Sequence, residues 1–145
     1  MNGYAAKLAQ LRLAVDRPGR VELRHPVTGD YLAAADGRRS YVLMRSRDSD
    51  EWQRRDREVI EARNRKIADG LKYTQDDAVR DLTETLAGMT MNWFLVDLYG
   101  NAIDEPYSFD VAMAIYADPG LSWLRDQAYA GSGDRSLFMP ARSGG

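Results

Sequence analysis

The chain has no cysteine among its 145 residues, which excludes disulfides, thiolate catalysis and sulfur-ligated metals. It has one histidine, His25, so no pair of histidines can bind a metal, and a lone histidine at a strand end is typically structural. No apolar run approaches the roughly 18 residues that a transmembrane helix needs. The first residues also lack the basic, apolar and small-residue pattern of a secretory signal. We therefore predict a cytoplasmic protein with no membrane partner.

Catalytic signatures are missing as well. There is no Gly-x-Ser-x-Gly nucleophile elbow, and residues 131–133 (GSG) lack the Gly-Lys-Ser/Thr sequence of a phosphate-binding loop. A cluster of carboxylates, Asp76, Asp77 and Asp81, would suit a small hydrolase, but a position at a helix N-terminus explains the first two without any chemistry. Because no nucleophile or base accompanies them, we predict a non-enzymatic protein with no catalytic, cofactor-binding or metal-binding residues.

What is present suits one soluble domain. The sequence is 44% hydrophobic and 29% charged, as is typical of globular proteins, and its length favours a single domain over 1–145. We predict a mainly helical α+β fold in which a small N-terminal antiparallel β meander packs on a bundle of about four helices. The predicted segments are a helix and turn (1–19), the β meander (20–47), a helical part (48–130) and a flexible C-terminal tail (131–145).

In the N-terminal third, the spacing of the apolar residues changes from that of a helix to that of strands. A short amphipathic helix is predicted by apolar residues at steps of four, three and four, namely Tyr4, Leu8, Leu11 and Val15. Residues 21–24 alternate apolar and charged side chains, which is strand spacing. The Asp-Gly dipeptide at 36–37 favours a tight hairpin, and the residues at 41–44 (YVLM) favour a further strand.

From position 48 onward the pattern is helical. Ser108 is predicted to cap a short helix late in the chain. Asp48 or Ser49 is predicted to cap an Arg-rich helix that runs to about Ile67, and Thr74 to cap the next one. That next helix is predicted to continue to a stop at Gly100, because apolar residues recur at alternating steps of three and four. They are Val79, Leu82, Leu86, Met89, Trp93 and Val96. We interpret them as a core-facing stripe, with an oligomeric coiled coil as the alternative.

The charges are distributed unevenly. Residues 1–72 contain 16 basic and 11 acidic side chains, whereas residues 73–145 contain 4 basic and 11 acidic ones. We favour mutual neutralisation within one domain over a nucleic-acid surface. In 45–66, seven Arg and one Lys face six acids, and phosphate binding needs a less balanced basic face. A nucleic-acid-binding regulator that uses the 45–66 helix is nevertheless the alternative function.

The order of these segments resembles the tail assembly chaperones of long-tailed, lambda-like bacteriophages and prophages. Four local features carry the resemblance, and together they span residues 20–138. Residues 131–133 depart from it, since they interrupt a helix that is longer in the family. The features are VELRHPVTG at 21–29; RDSDEW at 47–52 before an Arg-rich helix; the helix through Trp93 with PYS at 106–108; and YADPGLSWLRDQ at 116–127 with DRSLF at 134–138.

The resemblance implies a non-enzymatic function. Such chaperones are small helical proteins that act in the host cytoplasm, coat the long tape-measure protein, and help recruit tail-tube subunits. They are absent from the finished virion. The expected partners are therefore the tape-measure protein and the tail-tube protein, with no nucleic acid and no cofactor.

Partner contacts are expected at aromatic and arginine side chains, which are favoured anchors at interfaces. The candidates are Trp52, Arg54, Arg55, Trp93, Trp123 and Phe138. For the three tryptophans, which lie at helical spacing, we favour a buried core position over a partner contact, because tryptophan is highly buried on average. The charge distribution also predicts self-association, in which the positive 45–66 helix of one copy meets the acidic 97–118 region of the next. Such a heterologous contact propagates into an open assembly.

Overall fold

The computed structural model describes residues 3–140. Within this range it contains five α-helices and four β-strands, so the prediction of a mainly helical α+β fold is confirmed. In chain order the elements are α1 (Gly3–Leu8), β1 (Gly19–Glu22), β2 (Tyr41–Met44), α2 (Asp50–Ala68), α3 (Gln75–Met89), β3 (Thr90–Val96), β4 (Ala102–Ile103), α4 (Phe109–Ala117) and α5 (Ser122–Ser132). Short 3₁₀ helices cover Ala9–Leu11, Pro119–Leu121 and Arg135–Phe138.

The strands form one antiparallel sheet in the order β1-β2-β3-β4. The predicted meander over 20–47 supplies only two of them. Residues 23–40 between them contain isolated bridges, Arg24 with Tyr31 and Ala33 with Arg39. Because a two-stranded ribbon is marginal in water, β2 takes its second neighbour from β3, with Val42 opposite Trp93.

The prediction of one helix through Val96 is wrong. The helix ends at Met89, and the chain continues directly into β3. The residues after Met89 (TMNWFLV) are rich in β-branched and aromatic side chains, which fit a strand when a partner strand is present. The step of four residues from Met89 to Trp93 suits a helix locally. The segment nevertheless forms a strand, because it pairs with β2. The segment 48–130 is therefore not helical throughout.

Local capping signals are confirmed. Ser49 caps α2 by accepting a hydrogen bond from the Trp52 backbone N–H, and Ser108 caps α4 in the same manner. Thr74 and Asp77 form a reciprocal capping box at the start of α3. These motifs involve residues three positions apart, so the sequence alone specifies them.

The core lies between the inner face of the sheet and α3, α4 and α5. Its members include Val42, Met44, Leu86, Ala112 and Tyr116, all of which are fully buried. The Tyr116 hydroxyl lies 2.7 Å from Thr90 Oγ1, and its burial raises the pKa of this phenol to about 12. The apolar stripe of α3 thus packs within the domain, where α4 and α5 cover it.

The C-terminal segment closes the fold. Gln127 of α5 accepts a hydrogen bond from the Arg24 backbone N–H at 2.8 Å and donates one to the Arg24 carbonyl at 3.0 Å. Arg47 donates to the Tyr129 carbonyl at 2.6 Å and to Ser132 Oγ at 3.2 Å. These contacts attach α5 to the chain on both sides of the β1–β2 pair.

The description of residues 131–145 as a flexible tail needs correction. The helix α5 continues to Ser132, the Arg135–Phe138 turn follows, and the Phe138 side chain is buried. The Ala14 backbone N–H donates to the Phe138 carbonyl at 2.8 Å, so this turn also holds the N-terminal segment. The rest of the predicted tail, residues 141–145, lies outside the described residues.

Gly131 allows α5 to lie directly against β1. A Cβ atom at position 131 would lie 2.4 Å from Val21 Cγ1, whereas one at Gly88 in α3 would meet nothing within 4 Å. We predict that Gly131→Ala lowers the free energy of unfolding by about 1–3 kcal/mol through overpacking. The matched control Gly88→Ala should raise it by about 0.5–1 kcal/mol, because alanine is the better helix former. Urea unfolding measures both, and equal stability of the two variants would contradict this packing.

Candidate partner-binding surface

Three of the predicted aromatic anchors are core residues. Trp52 and Phe138 are each 2% exposed, and Trp93 is 7% exposed. The Trp93 indole N–H donates to the Glu105 carbonyl at 2.7 Å, and its ring meets Tyr107 edge-on. The three side chains leave little surface for a partner to contact, and their burial contributes to stability.

The two predicted arginines differ in their contacts within the chain. Arg55 is half-buried and forms an ion pair with Glu84 of α3 at 3.2 Å, while Arg54 is exposed. A second pair joins α2 to α3, Lys66 to Asp77 at 2.8 Å. The acids of α3 therefore neutralise part of the positive charge of α2 within the same chain.

A third ion pair joins the two oppositely charged parts of the sequence. Arg135 donates to both carboxylate oxygens of Asp48, at 2.9 and 3.2 Å. This two-pronged contact lowers the pKa of Asp48 and raises that of Arg135, mainly through the side-chain hydrogen bond. The two α2–α3 pairs support the interpretation that the uneven charges neutralise one another inside one fold, whereas Arg135 and Asp48 pair the minority charge of each half.

Two of the three carboxylates of the α3 cluster, Asp77 and Asp81, are engaged in structural contacts. Asp77 accepts from Lys66 and from the Thr74 backbone N–H, and these two bonds hold its pKa far below the usual range. Asp81 accepts a hydrogen bond from the Tyr73 hydroxyl. Among residues 3–140, no group of three His, Asp or Glu side chains is arranged to hold a metal ion.

An open apolar groove lies beside Trp123, the fourth aromatic candidate. The groove has a volume of about 410 Å³ and is almost entirely apolar. Its floor is the inner side of β3, its walls are α4 and the start of α5, and its lip is the β3–β4 hairpin. The apolar side chains that line it include Leu95, Leu98, Ile103, Ile115, Leu121 and Trp123.

Carboxylates border this groove without any cation. Asp97 and Glu105 line it, and the sequence has no lysine or arginine between Arg80 and Arg125. Backbone N–H groups of Asn101 and Tyr99 donate to Asp97 at 2.9 Å, and these bonds lower its pKa. The rim therefore stays negatively charged at neutral pH.

The geometry suits a particular class of partner. An apolar groove between helices receives the apolar face of an amphipathic helix, whose anchors recur at steps of three and four. Carboxylates at the rim select basic residues beside those anchors. We name this surface, residues 95–124 with Leu23, the acidic groove.

Sequence reasoning found Trp123 but missed the rest of the acidic groove. Leu98 and Ile103 belong to a hairpin that was predicted as helix and loop, so their exposure could not be anticipated. The available signal was the stretch between Arg80 and Arg125, which contains seven acids, no base and many apolar residues. A buried segment of that composition is unusual, because buried charges are normally paired.

The outer face of the sheet is basic and lies opposite the acidic groove. Arg20 lies 4.0 Å from the ring centre of Tyr41, and both Arg24 and Arg39 lie 3.9 Å from that of Tyr31. Single-stranded nucleic acid binds by stacking bases on free aromatic faces. Here the protein's own guanidinium groups already cover these rings.

Comparisons with protein-family models, with curated proteins and with solved structures find no match to the chain. Among the described residues, no helix has both the length and the apolar character that crossing a bilayer requires.

The distinction between core and groove residues is testable by stability. We predict that Trp52→Ala lowers the free energy of unfolding by about 3–5 kcal/mol, because it removes a fully buried side chain. Ile103 is 46% exposed, so Ile103→Glu should change the same quantity by no more than about 0.5 kcal/mol. Denaturant unfolding followed by circular dichroism measures both. A small loss for Trp52→Ala would make it a surface anchor after all.

Proposed function

We propose that this protein is a phage tail assembly chaperone that binds the tape-measure protein and helps to recruit tail-tube subunits. It acts without catalysis in the host cytoplasm and leaves before the virion is complete. The observation that carries the proposal furthest is the acidic groove, an unfilled apolar site of about 410 Å³ bordered by carboxylates. A chaperone for a long helical client requires such a site and requires no active centre.

The contacts among the segments that resemble the chaperone family also support the proposal. Segment 21–29 meets segment 116–127 through Arg24 and Gln127. Segment 47–52 meets segment 134–138 through Asp48 and Arg135. Sequence features that are distant along the chain thus meet where they close the fold. A resemblance in such residues favours a shared fold, and it leaves client binding to the remaining surface.

The chemistry of the acidic groove defines the client segments that we expect it to bind. They are amphipathic helices with apolar side chains on one face and lysine or arginine next to that face. Apolar burial supplies most of the affinity, and the carboxylates supply selectivity and a faster encounter. A long tape-measure protein offers many such segments, so several chaperone copies can cover it.

Recruitment of tail-tube subunits calls for a second surface, and we assign it to the outer face of the sheet. Phe94 lies on that face, and its ring centre is 4.4 Å from the guanidinium carbon of Arg38. The next residue, Leu95, lines the acidic groove. Successive side chains of a strand point to opposite faces. The two surfaces meet at the β3–β4 edge, where Arg38 and Phe94 share a pocket with Ile103 and Glu105.

The regulator hypothesis has less support. It depends on the cations of α2, and Arg55 and Lys66 are paired with acids of α3. Binding to duplex DNA would also require an affinity that falls steeply as salt rises. The same experiment separates the two functions when duplex DNA is included as a second probe.

We predict that the full chain retains helical segments of a tape-measure protein from the same genome and keeps them soluble on co-expression. Ile103→Glu should weaken retention about tenfold or more, because it places a charge where an apolar anchor must be buried. The matched control is Val27→Glu, at an exposed position outside the acidic groove, and it should bind as the wild type does. Titration by fluorescence anisotropy measures these affinities. Equal loss in both variants, or binding to duplex DNA alone, would contradict the proposal.

A further inference from the structure

The N-terminal helix displays apolar side chains that the domain does not cover. No residue of α1 or of the 3₁₀ turn that follows it is buried. Tyr4 is 66% exposed, Leu8 42% and Leu11 77%. Tyr4 and Leu8 lie four residues apart in α1, and Leu11 lies three residues after Leu8 in the 3₁₀ turn, so the three share one face. Isolated exposed apolar residues are ordinary, but an aligned stripe of large ones marks a contact surface.

The charges beside this stripe complement those of the acidic groove. The described residues before Asp16 carry two charges, Lys7 and Arg12, and both are positive and exposed. The groove borders its apolar lining with Asp97 and Glu105 and with no cation. The chain therefore contains both an apolar helix with basic flanks and a receptor for one. These cations are less compensated than those of α2, whose Arg55 and Lys66 already have acidic partners.

The two surfaces lie at opposite ends of α5. The start of α5 lines the acidic groove through Leu121 and Trp123. The N-terminal segment is attached beyond the other end of α5, where the Ala14 N–H donates to the Phe138 carbonyl. An eleven-residue helix such as α5 is about 16 Å long at 1.5 Å per residue. No residue of α1 lines the groove of its own chain.

We propose that the N-terminal helix of one copy docks into the acidic groove of a second copy. Tyr4, Leu8 and Leu11 enter the apolar lining, and Lys7 and Arg12 face the carboxylates of the rim. Because donor and acceptor are different surfaces, the contact is heterologous and leaves one helix and one groove free at the ends. The protein therefore forms open chains of variable length.

This contact has a consequence that rests on the proposed function. The acidic groove is assigned to the tape-measure protein, so the N-terminal helix of a neighbouring copy competes with the client for it. Self-association then keeps the apolar groove covered while no client is present. Client binding releases the helix and dissociates the chains that formed without it.

The test uses two variants of the full chain that each remove one half of the contact. Leu8→Glu combined with Leu11→Glu disrupts the helix and leaves the groove intact. Ile103→Glu disrupts the groove and leaves the helix intact. In sedimentation velocity without any client, the wild type should form concentration-dependent chains, which weaken as salt rises because screening acts over about 8 Å at physiological ionic strength. Each variant alone should self-associate with an affinity at least about tenfold weaker than that of the wild type.

An equimolar mixture of the two variants gives the decisive result. One intact helix and one intact groove remain, so the mixture should form a heterodimer and no larger species. Val27→Glu should form chains as the wild type does. A monomeric wild type, a mixture that stays monomeric, or association that survives Leu8→Glu with Leu11→Glu would overturn the proposal. Loss of association in Arg54→Glu with Arg55→Glu but not in the N-terminal variant would place the contact on α2 instead, which also overturns it.

Failure of the proposed function gives a different pattern. If no variant retains tape-measure segments but the mixture still forms heterodimers, the self-contact stands and the assigned client is wrong. If both proposals hold, the N-terminal variant binds those segments at least as tightly as the wild type, because no neighbouring helix competes for the groove.

Discussion

The close contact between α5 and β1 determines where the other elements lie. Gly131 permits it, because any larger residue would meet Val21. Gln127 then fixes α5 along the chain by bonding both backbone groups of Arg24, and Arg47 bonds the last turn of the helix. With α5 in this position, the turn after it brings Phe138 against Gly19. The sheet is then covered on its inner face, and the start of α5 becomes one wall of the acidic groove.

Closing the fold in this way uses three of the four aromatic side chains that the sequence offers as partner anchors. Trp52, Trp93 and Phe138 are buried, so partner contacts depend on what remains outside. The remaining surfaces differ in character: an acidic groove on one side of β3, a basic face on the other, and an apolar N-terminal helix with basic flanks. Surfaces of complementary charge that point in different directions suit a protein whose groove is shared in turn by a second copy of the chain and by a client.

The sequence predicts local features of the fold well. The caps at Ser49, Thr74 and Ser108 depend on residues three positions away, and such short-range bonds are visible in the sequence. β3 could not be recognised in this way, because its strand character comes from pairing with β2, about fifty positions earlier. The same limit applies to the acidic groove, which forms only when Leu23, β3, α4 and α5 come together. Spacing also did not reveal which tryptophans face the core, since Trp52 and Trp123 both follow helical patterns but only the first is buried.

The central claim is that the acidic groove holds the client. Hydrogen–deuterium exchange of the full chain, diluted until it is monomeric and measured alone and saturated with a tape-measure segment, tests it most directly. The account predicts added protection of backbone amides in residues 97–124, where the β3–β4 hairpin, α4 and the start of α5 surround the groove. It predicts little change along α2, because this helix contributes no residue to the groove. Protection confined to α2, with residues 97–124 unchanged, would contradict it.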